Sequence, residues 1–277
     1  MARYRSIWIS DIHLGTKGCQ AEKLLDFLRC TESEYLYLVG DIIDFWSLRR
    51  SWFWPETHNT VVQKILRKSR SGTRVFYIQG NHDPMADWMV SILNSGHVAF
   101  GPISLSREAT HVAADGKIFM VLHGDQFDSC MQYAPWLAKL GDRGYSILLG
   151  VNRLLLPLTR FLGIHGRWSL AGYVKRSMKT AVSFISDFEE IVARSVRKNE
   201  AHGIICGHIH HASIRQIDGI SYMNDGDWIE SCSALCEHED GRFEIIRWDD
   251  RLPDGEMPEV VRQGCEKGVL EEEPTGV

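Results

Sequence analysis

Residues 35–44 read YLYLVGDIID: an apolar run that stops at a glycine, then two aspartates three positions apart. Tyr35 to Val39 has the length and composition of a short buried strand, and it hands Asp41 and Asp44 to a loop. The same construction recurs on either side. RSIWIS (residues 5–10) leads into Asp11 and His13, and Val75 to Ile78 leads into Gly80-Asn81-His82-Asp83. Further on, Ile118 to Leu122 runs into His123-Gly124-Asp125, and Ile204 to Cys206 into Gly207-His208-Ile209-His210. Helices are expected over Ala21 to Arg29 and Thr60 to Ser69. Strand, loop and helix in repetition imply an α/β fold.

Between Gln126 and Glu200 the strand signals give way to helical periodicity, so residues 126–200 are expected to form a helical cap inserted into a core of residues 1–125 and 201–248. Ile214 to Trp248 alternates short strands with Asp218-Gly219 and Asp240-Gly241 turns, as a meander would. Residues 249–277, acidic and without periodicity, are expected to be a flexible tail. Hydrophobic residues make up 44% and charged residues 24%, the balance of a globular chain with a sizeable core. Seven cysteines, an odd number with no CxxC pair, imply reduced thiols and a cytoplasmic setting. The start MARYRSIWISD enters a strand at once, without the apolar run of a signal peptide.

The net charge is −5, unevenly spread. Lys139, Arg143, Arg153, Arg160, Arg167, Lys175, Arg176 and Lys179 face only Asp142 in their stretch. A basic segment on an acidic body calls for a local anionic partner, such as a phosphoester or an anionic membrane surface, and no nucleic acid is expected.

Five motifs thus place metal-competent side chains just past apolar strands. In an α/β sheet these positions share one edge, where ligand sites are built. Carboxylate, amide and imidazole ligands without thiolate suit Mn²⁺, Fe²⁺ or Zn²⁺ with open coordination positions and argue against a structural zinc. A lone histidine near a strand end is usually structural, but five motifs in this order outweigh that explanation.

In these motifs the chain resembles the calcineurin-like metallophosphoesterase family, whose pattern is D-x-H, GD-x-x-D, GNH[DE], a single H and GH-x-H. The resemblance implies a four-layer αββα sandwich and two divalent ions, Mn²⁺ foremost. Asp11, His13, Asp41 and His210 would hold one ion, and Asp41, Asn81, His123 and His208 the other. Hydroxide held between the ions would then be the nucleophile at phosphorus. His82 would face the substrate as general acid or hydrogen-bond donor. Asp44 and Asp83 are expected behind the ligands, orienting histidines. The alternative for both is a carboxylate that caps its own loop.

Within the family the resemblance narrows to the lipid A branch that cleaves UDP-2,3-diacylglucosamine to UMP and 2,3-diacylglucosamine 1-phosphate. It rests on ISDIHLG, on the GD-x-x-D loop running into Phe45-Trp46, on the helical insertion, and on a strand expected over Asn224 to Glu230. Better-known members of that branch carry Arg where this chain has His82. A phosphodiesterase or phosphomonoesterase acting on another phospholipid or nucleotide stays open beside it, as does a metal-binding scaffold without activity. Trp46 and Arg49, beside the aromatic run Trp52-Phe53-Trp54, are candidate substrate contacts, as are Arg153 and Arg160 among the leucines of residues 148–162. That leucine-rich stretch can shelter acyl chains or lie peripherally on the inner face of the cytoplasmic membrane. It can equally pack the cap onto the body.

Overall fold

A computed structural model describes residues 1–83, 97–100, 103–130, 184–196 and 201–248. Its larger sheet has seven strands, in the order β12-β11-β1-β2-β3-β5-β4, and its smaller sheet five, in the order β6-β7-β8-β10-β9. The strands are β1 (Ala2–Ile9), β2 (Thr31–Val39), β3 (Arg74–Ile78), β4 (His97–Phe100), β5 (Ile103–Ser106) and β6 (Glu108–Val112). They continue with β7 (Ile118–Leu122), β8 (Gly203–Cys206), β9 (Ser213–Ile217), β10 (Ile220–Asn224), β11 (Ser233–Glu237) and β12 (Phe243–Arg247). Both sheets are mixed: β1, β2, β3 and β5 run parallel in one, and β7, β8 and β10 in the other. The fold class is α/β, as expected.

Alternation along the strands builds two cores. Leu36 and Leu38 of β2 turn outward onto helices α1 (Ala21–Cys30) and α3 (Glu56–Arg70), where they meet Leu24, Phe27, Val61 and Ile65. Tyr37 and Val39 turn the other way and join Trp8, Ile78, Phe119, Val121, Ile205 and Met223 between the sheets. The opposite face of the smaller sheet is buried as well, at Ile204 and Tyr222. Fully burying side chains of this size is worth roughly 1.5–3 kcal/mol each. The two sheets are therefore held as one scaffold, and the C-terminal ends of their parallel strands stay fixed.

Three expectations need correction. The segment from Ile214 to Trp248 is two hairpins in different sheets, β9–β10 and β11–β12, and not one meander. The strand expected over Asn224 to Glu230 ends at Asn224, because Asp227 turns the chain by accepting the amides of Ile229 and Glu230. Cys30 is disulfide-bonded, while Cys19, Cys206, Cys232 and Cys236 are free thiols.

The chain divides into two compact units, 1–125 with 192–277, and 126–191. The second unit begins where the strand signals stop. A helix over 184–196 buries Phe188, Val192 and Val196 at helical spacing. Most of the expected cap, with Arg153, Arg160 and the leucines of 148–162, and all of the expected tail lie outside the described residues. Among the described residues, no helix is long and apolar enough to cross a membrane.

Candidate metal centre

Each side chain of the site stands just past the C-terminal end of a parallel strand. Asp11 and His13 follow β1, Asp41 and Asp44 follow β2, Asn81 and His82 follow β3, His123 follows β7, and His208 and His210 follow β8. Backbone bonds fasten these loops together: Asp11 N–H donates to Gly40 O at 3.1 Å and His13 N–H to Asp41 O at 2.9 Å. Asp11, His13, Asp41, His208 and His210 all adopt positive φ, between 49° and 70°. Such backbone is uncommon for non-glycine residues and costs of order 1 kcal/mol or more each, and it gathers where function requires a particular side-chain direction.

The functional atoms converge. His210 Nε2 lies 3.0 Å from Asp11 Oδ1, and His13 Nε2 lies 3.9 Å from Asp11 Oδ1 and 3.8 Å from Asp41 Oδ2. On the other side of Asp41, His123 Nε2 is 3.5 Å from Oδ2, and the His123 and His208 ring centroids are 5.0 Å apart. Three groups among the described residues have the spacing of cation ligands: Asp11/His13/His210, Asp11/Asp41/His123 and His13/Asp41/His82.

Asn81 Oδ1 and His123 Nε2 are buried without a hydrogen-bond partner, and the buried Asp11 Oδ1 has the His210 ring nitrogen 3.0 Å away. A buried unsatisfied polar atom costs about 1–3 kcal/mol, so atoms left this way among clustered carboxylates and imidazoles call for a bound group. A carboxylate oxygen, an amide oxygen and an imidazole nitrogen suit a divalent cation. His123 is set for that role by donating Nδ1–H to Val39 O at 2.8 Å, which leaves the lone pair on Nε2. Burial alone would raise the pKa of Asp11 and of Asp41, but the surrounding imidazoles, His210, His123 and His13 for Asp11 and His123 and His13 for Asp41, outweigh it and hold both carboxyls below their ordinary range.

A further group of buried residues sits behind these. Asp44 Oδ2 accepts from His13 Nδ1 at 3.2 Å and lies equally near His82 Nδ1, while its Oδ1 accepts the Ser47 amide at 2.6 Å. It therefore both orients a histidine and caps helix α2 (Phe45–Arg50). Asp83 takes the other course. It receives the amides of Ile42 and Ile43 at 3.2 and 3.0 Å, so it secures the Asp41 loop rather than a histidine ring. Burial and the charge of Asp41 push its carboxyl up to about 6.

His82 is more open than His13 and His123, though less so than His210. Its amide donates to Asp41 Oδ1 at 2.8 Å, its ring meets His13 edge-on at 4.8 Å, and the exposed indole of Trp46 lies 4.4 Å from it. Arg49 lies further along α2, beside a groove that also contains Trp52 and Trp54. Ser10 and Asp225 belong to the site although their roles were not read from the sequence. The Ser10 hydroxyl contacts Asp11 Oδ2 at 2.6 Å, and Asp225, fully buried past β10, holds Ser10 from behind. Position past an apolar strand is the signal that Asp225 shares with the five motifs.

The sequence model of the calcineurin-like phosphoesterases matches residues 4–212. The chain belongs to that family. Members are metal-dependent phosphoester hydrolases, and this chain is one of them. Among curated relatives, the UDP-2,3-diacylglucosamine hydrolase of Neisseria gonorrhoeae is 26% identical over 83% of this chain and 92% of its own length. The protein of the same name from Pseudomonas putida is 25% identical over 84% and 95%. A solved archaeal phosphodiesterase aligns over 87% of this chain and 98% of its own, with 10% identity and a TM-score of 0.41.

Proposed function

We propose that this hydrolase cleaves the pyrophosphate of UDP-2,3-diacylglucosamine, giving UMP and 2,3-diacylglucosamine 1-phosphate. The observation that carries the chemistry is the clustering of the Asp11, His13, Asp41, His123 and His210 side chains at ligand spacing, with His123 Nε2 buried and unpaired. Relatives of that name, aligned over more than four-fifths of the chain, support the choice of substrate. Asp11, His13 and His210 would hold one divalent ion, Asn81, His123 and His208 a second, with Asp41 between them and Mn²⁺ the first choice of metal. When bound, such a pair supplies a water of lowered pKa and positive charge for the phosphoryl oxygens.

The remaining work falls to the chain's own side chains. Asp44 fixes the His13 ring, and the Val39 carbonyl fixes that of His123. Asp83 keeps the Asp41 loop in register through two amides. His82 offers an N–H to a phosphoryl or leaving-group oxygen, with Trp46 screening one face of its ring from water. Arg49 is the proposed cationic contact among the described residues, with Arg153 and Arg160 as proposed contacts from the insertion.

The decisive assay incubates the Mn²⁺-loaded protein with UDP-2,3-diacylglucosamine and follows UMP by chromatography. Release of UMP and the diacyl sugar phosphate is expected. Hydrolysis of bis-p-nitrophenyl phosphate without any UMP would point to the second reading, a phosphodiesterase on another phospholipid or nucleotide. That reading draws on His82, a proton donor where cleavage of a pyrophosphate does not require one.

A further inference from the structure

Helix α2 is only six residues long, and none of them is buried, although Phe45, Trp46 and Leu48 are large and apolar. Beside it runs a groove of about 310 Å³ lined by Ile43, Phe45, Leu48, Arg49, Trp52 and Trp54. That volume is at the small end for ligand pockets, sufficient for one chain or ring system and not for a whole lipid. Trp54 packs edge-on against His58 with ring centroids 5.6 Å apart, which gives the groove a fixed wall. Trp52, its ring centroid 6.4 Å from that of Trp54, stays 76% exposed.

We propose that this groove receives the hydrocarbon part of an amphiphilic phosphoester substrate, with one acyl or alkyl chain along α2 while the phosphorus sits at Asp41. The inference rests on the proposed reaction at Asp41 and not on the uridine moiety. Continuity with the reactive centre supports it. Ile43 lies between Asp41 and Asp44 in the chain with its amide held by Asp83, and Trp46 of the same helix reaches His82. The lining argues for a chain over a nucleobase. Its side-chain polar groups are the Arg49 guanidinium and two indole N–H groups, all donors, whereas the edge of a base needs acceptors too. A hydrocarbon needs neither, and Arg49 at the groove's margin suits the negative charge that such a substrate carries beside its chain.

The test uses alkyl p-nitrophenyl phosphates from ethyl to decyl, below their micelle concentrations, with Mn²⁺. Wild-type kcat/KM is expected to climb with chain length, by up to about fourfold for each methylene fully removed from water. Trp52→Ala and Leu48→Gln are each expected to cut the decyl-to-ethyl ratio by roughly tenfold or more. Trp52 is exposed, so its loss spares the fold, and a melting curve monitors Leu48→Gln. A flat wild-type series would overturn the proposal. So would an unchanged ratio in both variants, the result expected if another segment of this chain fills the groove. A steep alkyl series without cleavage of UDP-2,3-diacylglucosamine would remove the nucleotide-sugar reading and leave the groove standing.

Discussion

Ser10 Oγ lies 2.7 Å from Asp225 Oδ1, and the hydroxyl has only one proton to give. The same oxygen is 2.6 Å from Asp11 Oδ2, so both contacts are hydrogen bonds only if one carboxyl carries a proton. Burial, reinforced by the charge of Asp11, pushes Asp225 well above the usual carboxyl range, while the surrounding imidazoles keep Asp11 below it. The expected arrangement is that Asp225 carries the proton and donates to Ser10, which in turn donates to Asp11. Asp225→Asn, whose amide also donates, should keep metal content and turnover within about threefold, whereas Asp225→Ala should weaken metal binding by about 10–100-fold. Metal titration of the two variants checks this. Equal loss in both would mean that the negative charge of Asp225 matters, and not its proton.

Gly80 faces Asp41 with no room to spare. A Cβ at Gly80 would stand 2.3 Å from Asp41 Oδ1 and 2.4 Å from the Asp41 amide nitrogen. The backbone amide cannot swing aside as a flexible side chain could, so Gly80→Ala must move the residue proposed to serve both ions. A displacement near 1 Å costs on the order of 10²-fold in rate. Overpacking adds about 1–3 kcal/mol of destabilisation. Turnover of bis-p-nitrophenyl phosphate and a melting curve would measure both, and activity within a few-fold of wild type would refute the close approach.

Glu237 pins the two sheets together away from the metal centre. Its fully buried carboxylate accepts from Arg5 at 2.8 Å, the Ser6 hydroxyl at 2.8 Å, the Ala114 amide at 2.7 Å and His111 at 2.9 Å. Burial raises its pKa, but the bonds from His111, Ala114 and Ser6 outweigh this, and the folded value falls below the ordinary 4.5. Its stabilising contribution is therefore complete above about pH 4.5 and fades as the pH drops through the lower folded value. Glu237→Gln should cost about 3 kcal/mol at pH 6, and the gap from wild type should narrow towards pH 3. Denaturant unfolding at both pH values decides it; a gap that stays constant over this range would contradict the linkage.

Sequence reading succeeded where local pattern and tertiary position coincide. Strands β1, β2, β3, β7 and β8 lie inside parallel arrays, covered on both faces, so they are written as apolar runs. Each ends in a motif that the sheets then bring together. Strands β4, β5 and β6 are short and outside that pattern; β6 reads EATHV, with Glu108 and Val112 exposed, and gives no apolar run to detect. The hairpin turns were legible, but not that β10 and β11 enter different sheets, since Asp218-Gly219 and Asp240-Gly241 specify a reversal and nothing about sheet membership. Asp83 and Asp225 show the same limit within the site. Their partners, the amides of Ile42 and Ile43 and the Ser10 hydroxyl, are neighbours only after folding.

His82 separates the two proposed reactions by what each leaving group requires. Cleavage at the uridylyl phosphorus expels a sugar phosphate whose second pKa is about 6, so it departs without a proton. An alkoxide, with a pKa nearer that of water at about 15.7, needs a donor. His82 is placed to be one: its ring is partly exposed, with Nε2 3.9 Å from Asp41 Oδ2 and Nδ1 3.2 Å from Asp44 Oδ2. Burial lowers its pKa, but Asp44 and Asp41 raise it by more, which favours the imidazolium. On this argument His82→Ala should slow release of UMP from UDP-2,3-diacylglucosamine by about tenfold, through lost phosphoryl stabilisation. An alkyl phosphodiester should be slowed by roughly 10²–10⁴-fold, the usual value of a positioned acid. His82→Arg sharpens the comparison, because Arg restores charge and hydrogen-bond donors but yields no proton, so it should rescue the pyrophosphate reaction and not the alkyl ester. Rates of wild type and both variants on the two substrates, at matched Mn²⁺ and pH, give the answer. If His82→Ala depresses both reactions by one large factor, His82 acts by positioning the phosphate and the leaving-group argument fails.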